Sequence, residues 1–169
     1  DDTVPAPRSA CQAVILASST GGPEALKIVL PKLPADFPLP VFVVQHMPPQ
    51  YTQSLAARLN DICELEVVEA SNKIETCRGR IILAAGGRQM KVEQRGGKVR
   101  VLVNDDPPMN GVRPAADYLL QSASEVFGGN ALAVVMTVMG KDGLEGCRQL
   151  KEAGGFVFAQ SQQDCIVYG

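Results

Sequence analysis

Apolar residues in this chain fall in short blocks separated by glycine, proline and polar residues. Residues 13–17, 41–44, 80–85, 131–139 and 156–159 form such blocks. A strand with one wet face alternates apolar and polar positions, whereas a nearly continuous apolar run predicts a strand covered on both faces. Between the blocks the period changes. Tyr51, Leu55, Ala56 and Leu59, and then Ala116, Leu119, Leu120, Ala123 and Phe127, repeat at three and four residues, the spacing of a helix with one buried face. Strand and helix thus alternate. Parallel neighbours need a crossover connection, so this order predicts an α/β fold: a doubly wound, mostly parallel sheet flanked by helices and joined by right-handed crossovers. Residues 90–94 and 99–103 flank Arg95-Gly96-Gly97-Lys98, a glycine pair suited to a tight turn, which predicts an antiparallel hairpin at one edge.

Composition narrows the class. A chain of 169 residues with 46% hydrophobic and 20% charged residues buries a single core without metals or disulfides. Sixteen Lys and Arg stand against 18 Asp and Glu, with no dense basic run interleaved with aromatics, so a nucleic-acid partner is not expected. The longest apolar blocks fall well short of the ~20 residues of a membrane-spanning helix. The five cysteines are odd in number and form no C-x-x-C pair, and no secretory signal opens the chain. These features predict a reducing, cytoplasmic setting, with each thiol acting as a small buried hydrophobe. Clustered metal ligands are absent, and no metal or organic cofactor is expected. Residues 1–10 carry two prolines and no period and are expected to be a linker remnant that follows another domain, with residues 11–169 forming the folded domain.

Candidate chemistry gathers at the ends of the blocks, where open α/β sheets place their sites. The first block ends in Ser18-Ser19-Thr20-Gly21-Gly22-Pro23-Glu24, the second in Gln45-His46-Met47-Pro48, and the fourth in Gly140-Lys141-Asp142-Gly143. A nucleophile, a base and a carboxylate are present at three strand ends. Gly21 and Gly22 permit a sharp bend, and Pro23 suits a helix start. Free amides there would stabilise an oxyanion. A blander reading has Ser19 or Thr20 capping that helix. His46 is the sole histidine, and lies about one strand-helix-strand unit from Ser19, which sets two strand ends side by side. Asp142-Gly143-Leu144-Glu145 also matches a helix cap, so Asp142 has two readings: a cap, or the acceptor that orients the imidazole. A phosphate module using the glycine turn is disfavoured, since no G-x-G-x-x-G and no Gly-rich loop ending in Lys-Ser/Thr follows the first block.

These segments resemble the catalytic domain of the chemotaxis protein-glutamate methylesterases of the CheB type. The resemblance lies in Ser19-Thr20-Gly21-Gly22-Pro23-Glu24-Ala25, Gln45-His46-Met47-Pro48 with Thr52, and Ala57-Arg58-Leu59-Asn60. It continues in Glu69-Ala70, Arg113-Pro114 with Asp117, Met139-Gly140-Lys141-Asp142-Gly143, and Ala159-Gln160 with Val167-Tyr168-Gly169. The resemblance implies Ser19 as nucleophile, His46 as general base and Asp142 as its orienting carboxylate. It also implies that Thr20 and the backbone at Met139 and Gly140 line the oxyanion and substrate site. It implies hydrolysis of γ-glutamyl methyl esters, and deamidation of glutamines, on the cytoplasmic helical domain of a chemoreceptor, behind an upstream receiver domain. Members continue past the equivalent of Gly169, so a trimmed C-terminus is expected. The family usually has Gly, Ala, His and Ser where this sequence has Val138, Leu144, Gln89 and Ala115. Several of these positions are expected near the cleft, with Val138 reshaping its wall. A catalytically weak homologue serving as a receptor-binding or regulatory adaptor stays open as the alternative.

Overall fold

The computed structural model describes residues 11–169; the expected linker, residues 1–10, lies outside them. Six strands form one sheet in the order β3-β5-β2-β1-β8-β9, every neighbouring pair parallel. They are β1 (Ala13–Ser18), β2 (Val41–Gln45), β3 (Glu66–Glu69), β5 (Arg80–Leu83), β8 (Ala131–Met136) and β9 (Phe156–Ala159). From β1 the chain moves in one direction to β2, passes to the edge at β3 and returns to fill the gap with β5, then moves in the other direction through β8 and β9. The reversal falls between β1 and β8, the switch point at which such sheets open a crevice.

Alternate side chains of the central strands feed two cores. Ile15, Ala17, Phe42, Val44 and Ile82 point to the face covered by α3 (Ala116–Phe127) and α4 (Leu144–Glu152). Val14, Leu16, Val41, Val43, Ile81 and Leu83 point to the face covered by α1 (Gly22–Val29) and α2 (Pro49–Ile62). Burial on both faces explains why these strands lack alternation.

The hairpin is present as β6 (Gln89–Arg95) and β7 (Lys98–Asn104), turning at Gly96 and Gly97 with φ of 59° and 77°. Its place differs from the expected one. It joins β4 (Ile74–Glu75) in a separate three-stranded sheet, while β3 and β9 form the edges of the parallel sheet. Met90, Val92, Val101 and Val103 explain the difference. All four are buried in the core that α3 shares, so the hairpin needs a helix against its face.

Two expectations need correction. The block at 131–139 is strand only to Met136: Thr137 takes φ 36° and starts a turn. The cysteines are not uniformly buried either. Cys147 is buried, Cys11, Cys63 and Cys165 are half-buried and Cys77 is exposed; all five are free thiols. Among the described residues no helix is long and apolar enough to cross a membrane.

Candidate active site

The strand register brings the first two candidates together. Ser18 pairs with Gln45 across β1 and β2, so Ser19 and His46 each follow directly on paired residues, and the His46 amide extends the ladder to the Ser18 carbonyl at 3.0 Å. Two buried polar side chains brace this end. Ser18 Oγ donates to Gln45 Oε1 at 2.6 Å, and Gln45 Nε2 donates to the carbonyls of Ser19 at 2.8 Å and His46 at 3.0 Å. Gly22 is required beneath this brace, because a Cβ there would lie 1.8 Å from Gln45 Oε1 and 2.8 Å from Ser18 Cβ.

Ser19 does not cap α1: Gly21 is the N-cap, at φ 80°, and α1 has no side-chain cap. The amides at this helix start are fewer than the sequence suggests. Gly22 donates to the Ser19 carbonyl at 2.8 Å, and Pro23 has no N–H to offer. Among the described residues, no hydrogen bond engages the amides of Thr20, Met139 or Gly140. Thr137 links the two loops that carry them. Its Oγ1 donates to the Thr20 carbonyl at 2.6 Å and accepts the Val167 amide at 3.2 Å, and its carbonyl accepts the Ser19 amide at 3.2 Å. A β-branched residue at φ 36° is strained, and strain of this kind clusters at functional sites.

Asp142 reaches the site from the turn after β8. Its Oδ2 accepts His46 Nε2 at 2.6 Å, with both side chains largely shielded from solvent. A neutral imidazole that donates from Nε2 carries its lone pair on Nδ1, which leaves Nδ1 as the basic atom. Among the described residues, no hydrogen bond joins the Ser19 hydroxyl to that ring. Such contacts commonly tighten only when substrate binds. Burial on its own would push the Asp142 pKa up. The hydrogen bonds from His46, the Asp117 and Ala116 amides and Asn110 outweigh it and hold the carboxyl below its ordinary value, so it is an anion at neutral pH. The expected cap of α4 is absent, since that helix starts from Gly143 without a side-chain cap. The carboxylate instead accepts the first amides of α3, from Ala116 at 2.6 Å and Asp117 at 3.0 Å.

The cleft opens beside the imidazole as a hollow of about 230 Å³ lined by His46, Met47, Pro48, Pro49, Gly87, Val112, Arg113 and Pro114. Of the positions that depart from the family pattern, none lines this hollow, but Val138 and Leu144 adjoin Asp142 and Gly140 on its other side. Val138 is buried, and with the exposed Leu144 it lines a separate, largely apolar hollow of about 440 Å³ on the β9 side of Asp142. Gln89 is fully buried and joins the Pro107 carbonyl to the Ala115 amide, each at 3.0 Å. Thr20, Met139 and Gly140 are exposed. Sequence reasoning missed Ser18, Gln45 and Asn110. The first two carry a usable signal, a polar residue closing an otherwise apolar block, whereas nothing local marks Asn110.

Comparisons with known proteins identify the family of the fold. The family model described as CheB methylesterase matches residues 14–169. A protein-glutamate methylesterase/protein-glutamine glutaminase of Archaeoglobus fulgidus is 46% identical over 156 residues, covering 92% of this chain and 45% of that protein. Its Thermotoga maritima counterpart is 40% identical over 167 residues, covering 99% of this chain and 48% of that one. The chain thus spans about half the length of the curated relatives it matches. The crystal structure of the Thermotoga maritima CheB methylesterase catalytic domain superposes with a TM-score of 0.92 at 40% identity, over 95% of this chain and 85% of that one. This chain belongs to the CheB methylesterase family.

Proposed function

We propose that this domain is a serine hydrolase that removes methyl groups from glutamate esters on the cytoplasmic helical domain of a chemoreceptor, and that it deamidates glutamines there. The observation that carries the reading is the His46–Asp142 hydrogen bond, formed at a strand end directly beside that of Ser19. Ser19 Oγ attacks the ester carbonyl while Nδ1 of His46 takes its proton, and Asp142 stabilises the imidazolium. The amides at Thr20, Met139 and Gly140 receive the oxyanion. Collapse of the tetrahedral intermediate breaks the bond to methoxide, which leaves as methanol with the proton from His46. Water then attacks the acyl-enzyme, gives its proton to His46 and releases the glutamate carboxylate with Ser19 restored. A glutamine substrate follows the same course with ammonia leaving.

In the full protein a receiver domain precedes this one, and the protein works in the cytoplasm. The adaptor alternative rests on Val138 and Gln89, and neither lines the hollow beside His46; Val138 lines the hollow on the other side of Asp142. Methanol release from a methylated receptor cytoplasmic domain tests the proposal. Ser19→Ala and His46→Ala are each expected to cost roughly 10³-fold or more in kcat. Undiminished turnover in either folded variant removes the triad assignment, and no turnover by the parent removes the ester substrate.

A further inference from the structure

Besides its imidazole partner, Asp142 accepts the first amides of α3 and a side-chain amide that it shares with a second carboxylate, Asp117. The first two amides of α3 go to Asp142, which precedes α4. The amide of Gly146, in the first turn of α4, goes at 2.7 Å to Oδ1 of Asp117, which sits in the first turn of α3. Each helix therefore has its N-terminus satisfied by a carboxylate from the other's neighbourhood, and neither is capped by its own N-cap residue, Ala115 or Gly143. The helices approach closely enough for this because residue 146 is glycine: a Cβ there would meet Leu120 Cβ at 2.4 Å and Asp117 Oδ1 at 3.1 Å.

Asn110 completes the arrangement. Its Nδ2 donates to Asp117 Oδ2 at 2.7 Å and to Asp142 Oδ1 at 3.0 Å. An amide nitrogen carries two hydrogens, so each carboxylate receives one. Two buried carboxylates side by side would repel, and a donor shared between them offsets that repulsion. The backbone of Asn110 lies at φ 54°, in the left-handed region that asparagine enters more readily than most residues.

We propose that Asn110 and Asp117 are positioning residues for catalysis: bridged by one amide, they fix the Asp142 carboxylate and through it the tautomer and orientation of His46. The residues act as a unit that ties the reacting imidazole to the docking of α3 on α4. The kinetic side rests on the methylesterase reading, and the spectroscopic side does not.

The test compares the parent with Asn110→Gly, Asp117→Asn and their double variant. Glycine tolerates the left-handed backbone at position 110 and removes only the amide. Asparagine at 117 keeps an acceptor for the Gly146 amide but turns a donor toward Asn110. Because His46 is the sole histidine, nitrogen-15 spectra of its ring report one imidazole without substrate. The parent is expected to show the Nε2–H tautomer. Both single variants are expected to show a mixture with Nδ1–H, and to lose roughly tenfold or more in kcat at unchanged KM. The double variant is expected to be no worse than either single one, as for residues acting as a unit. Ser122→Ala removes an α3 hydrogen bond to the Val92 amide, distant from the carboxylates, and is expected to lower Tm with the parent's tautomer intact. Parent-like spectra and kcat in folded Asn110→Gly would overturn the proposal, as would additive losses in the double variant. Mixed tautomers in the variants, with no turnover even by the parent, would remove the substrate assignment and leave the positioning role standing.

Discussion

The thiol of Cys147 lies close to the Asp142 carboxylate and shows how charge there acts on its neighbours. Burial pushes its pKa up, and the charges of Asp117 and Asp142 push it further, to about 11. At neutral pH it is therefore almost wholly a thiol, and only thiolates react quickly with alkylating agents. Cys77 has no such shelter and is exposed. Peptide mapping after brief iodoacetamide treatment is expected to find Cys77 modified and Cys147 untouched until the protein is unfolded. Early labelling of Cys147 in the native protein would mean that α4 opens readily beside Asp142. The Asp142 carboxylate that raises the pKa of this thiol also accepts the imidazole Nε2–H, so one charge acts on both groups at this end of the sheet. Ser19 keeps its access because it sits at the strand end, half-buried.

At the scale of elements, α3 depends on a borrowed cap. Ala115 occupies its N-cap with extended dihedrals and is buried, but offers no side-chain acceptor, and the amides of Ala116 and Asp117 go to Asp142 instead. Ala115→Ser supplies an acceptor for the next amide, that of Tyr118. It is expected to stabilise the protein by about 1 kcal/mol, raising Tm by roughly 2–4 °C in thermal melts. An unchanged or lower Tm would show that the hydroxyl finds no amide there. This capping also marks the limit of what the sequence discloses. The central strands were legible because both faces are buried, and the Arg95–Lys98 turn because two glycines adopt positive φ. Strands β3 and β4 were not, since they are short, and Glu66 and Glu69 interrupt the apolar run of an edge strand. Ser19, His46 and Asp142 stood out as reactive residues closing apolar blocks. The partner of Asp142 did not: Asp142-Gly143-Leu144-Glu145 has the local form of a cap for α4, and the helix that receives the carboxylate starts 26 residues earlier in the chain. No local pattern encodes a contact made by packing one helix against another.

For the whole molecule, the consequence is that the imidazole contact and the cap of α3 share one ionised group, which couples both to pH. The folded-state pKa of Asp142 lies below its ordinary value, burial being outweighed by the hydrogen bonds it accepts. The unfolded chain therefore takes up the proton first as pH falls, and stability rises with pH across that range. The contribution is fully present above the ordinary carboxylate range and is lost as pH drops through the folded-state value. Asp142→Asn removes it. The variant is expected to be less stable than the parent at neutral pH by about 1–3 kcal/mol, the scale set by leaving buried donors without their acceptor. Denaturant melts of both proteins from about pH 7 down to about pH 3 measure the difference. The two stabilities should converge toward the acid end, because a protonated Asp142 and the asparagine that replaces it are alike in charge. A gap that stays constant with pH would mean that the carboxylate is already neutral in the folded protein, or that its charge does not support the helices. Convergence, with kcat lost in the variant at neutral pH, would place the cap of α3 and the orienting of His46 on the same negative charge.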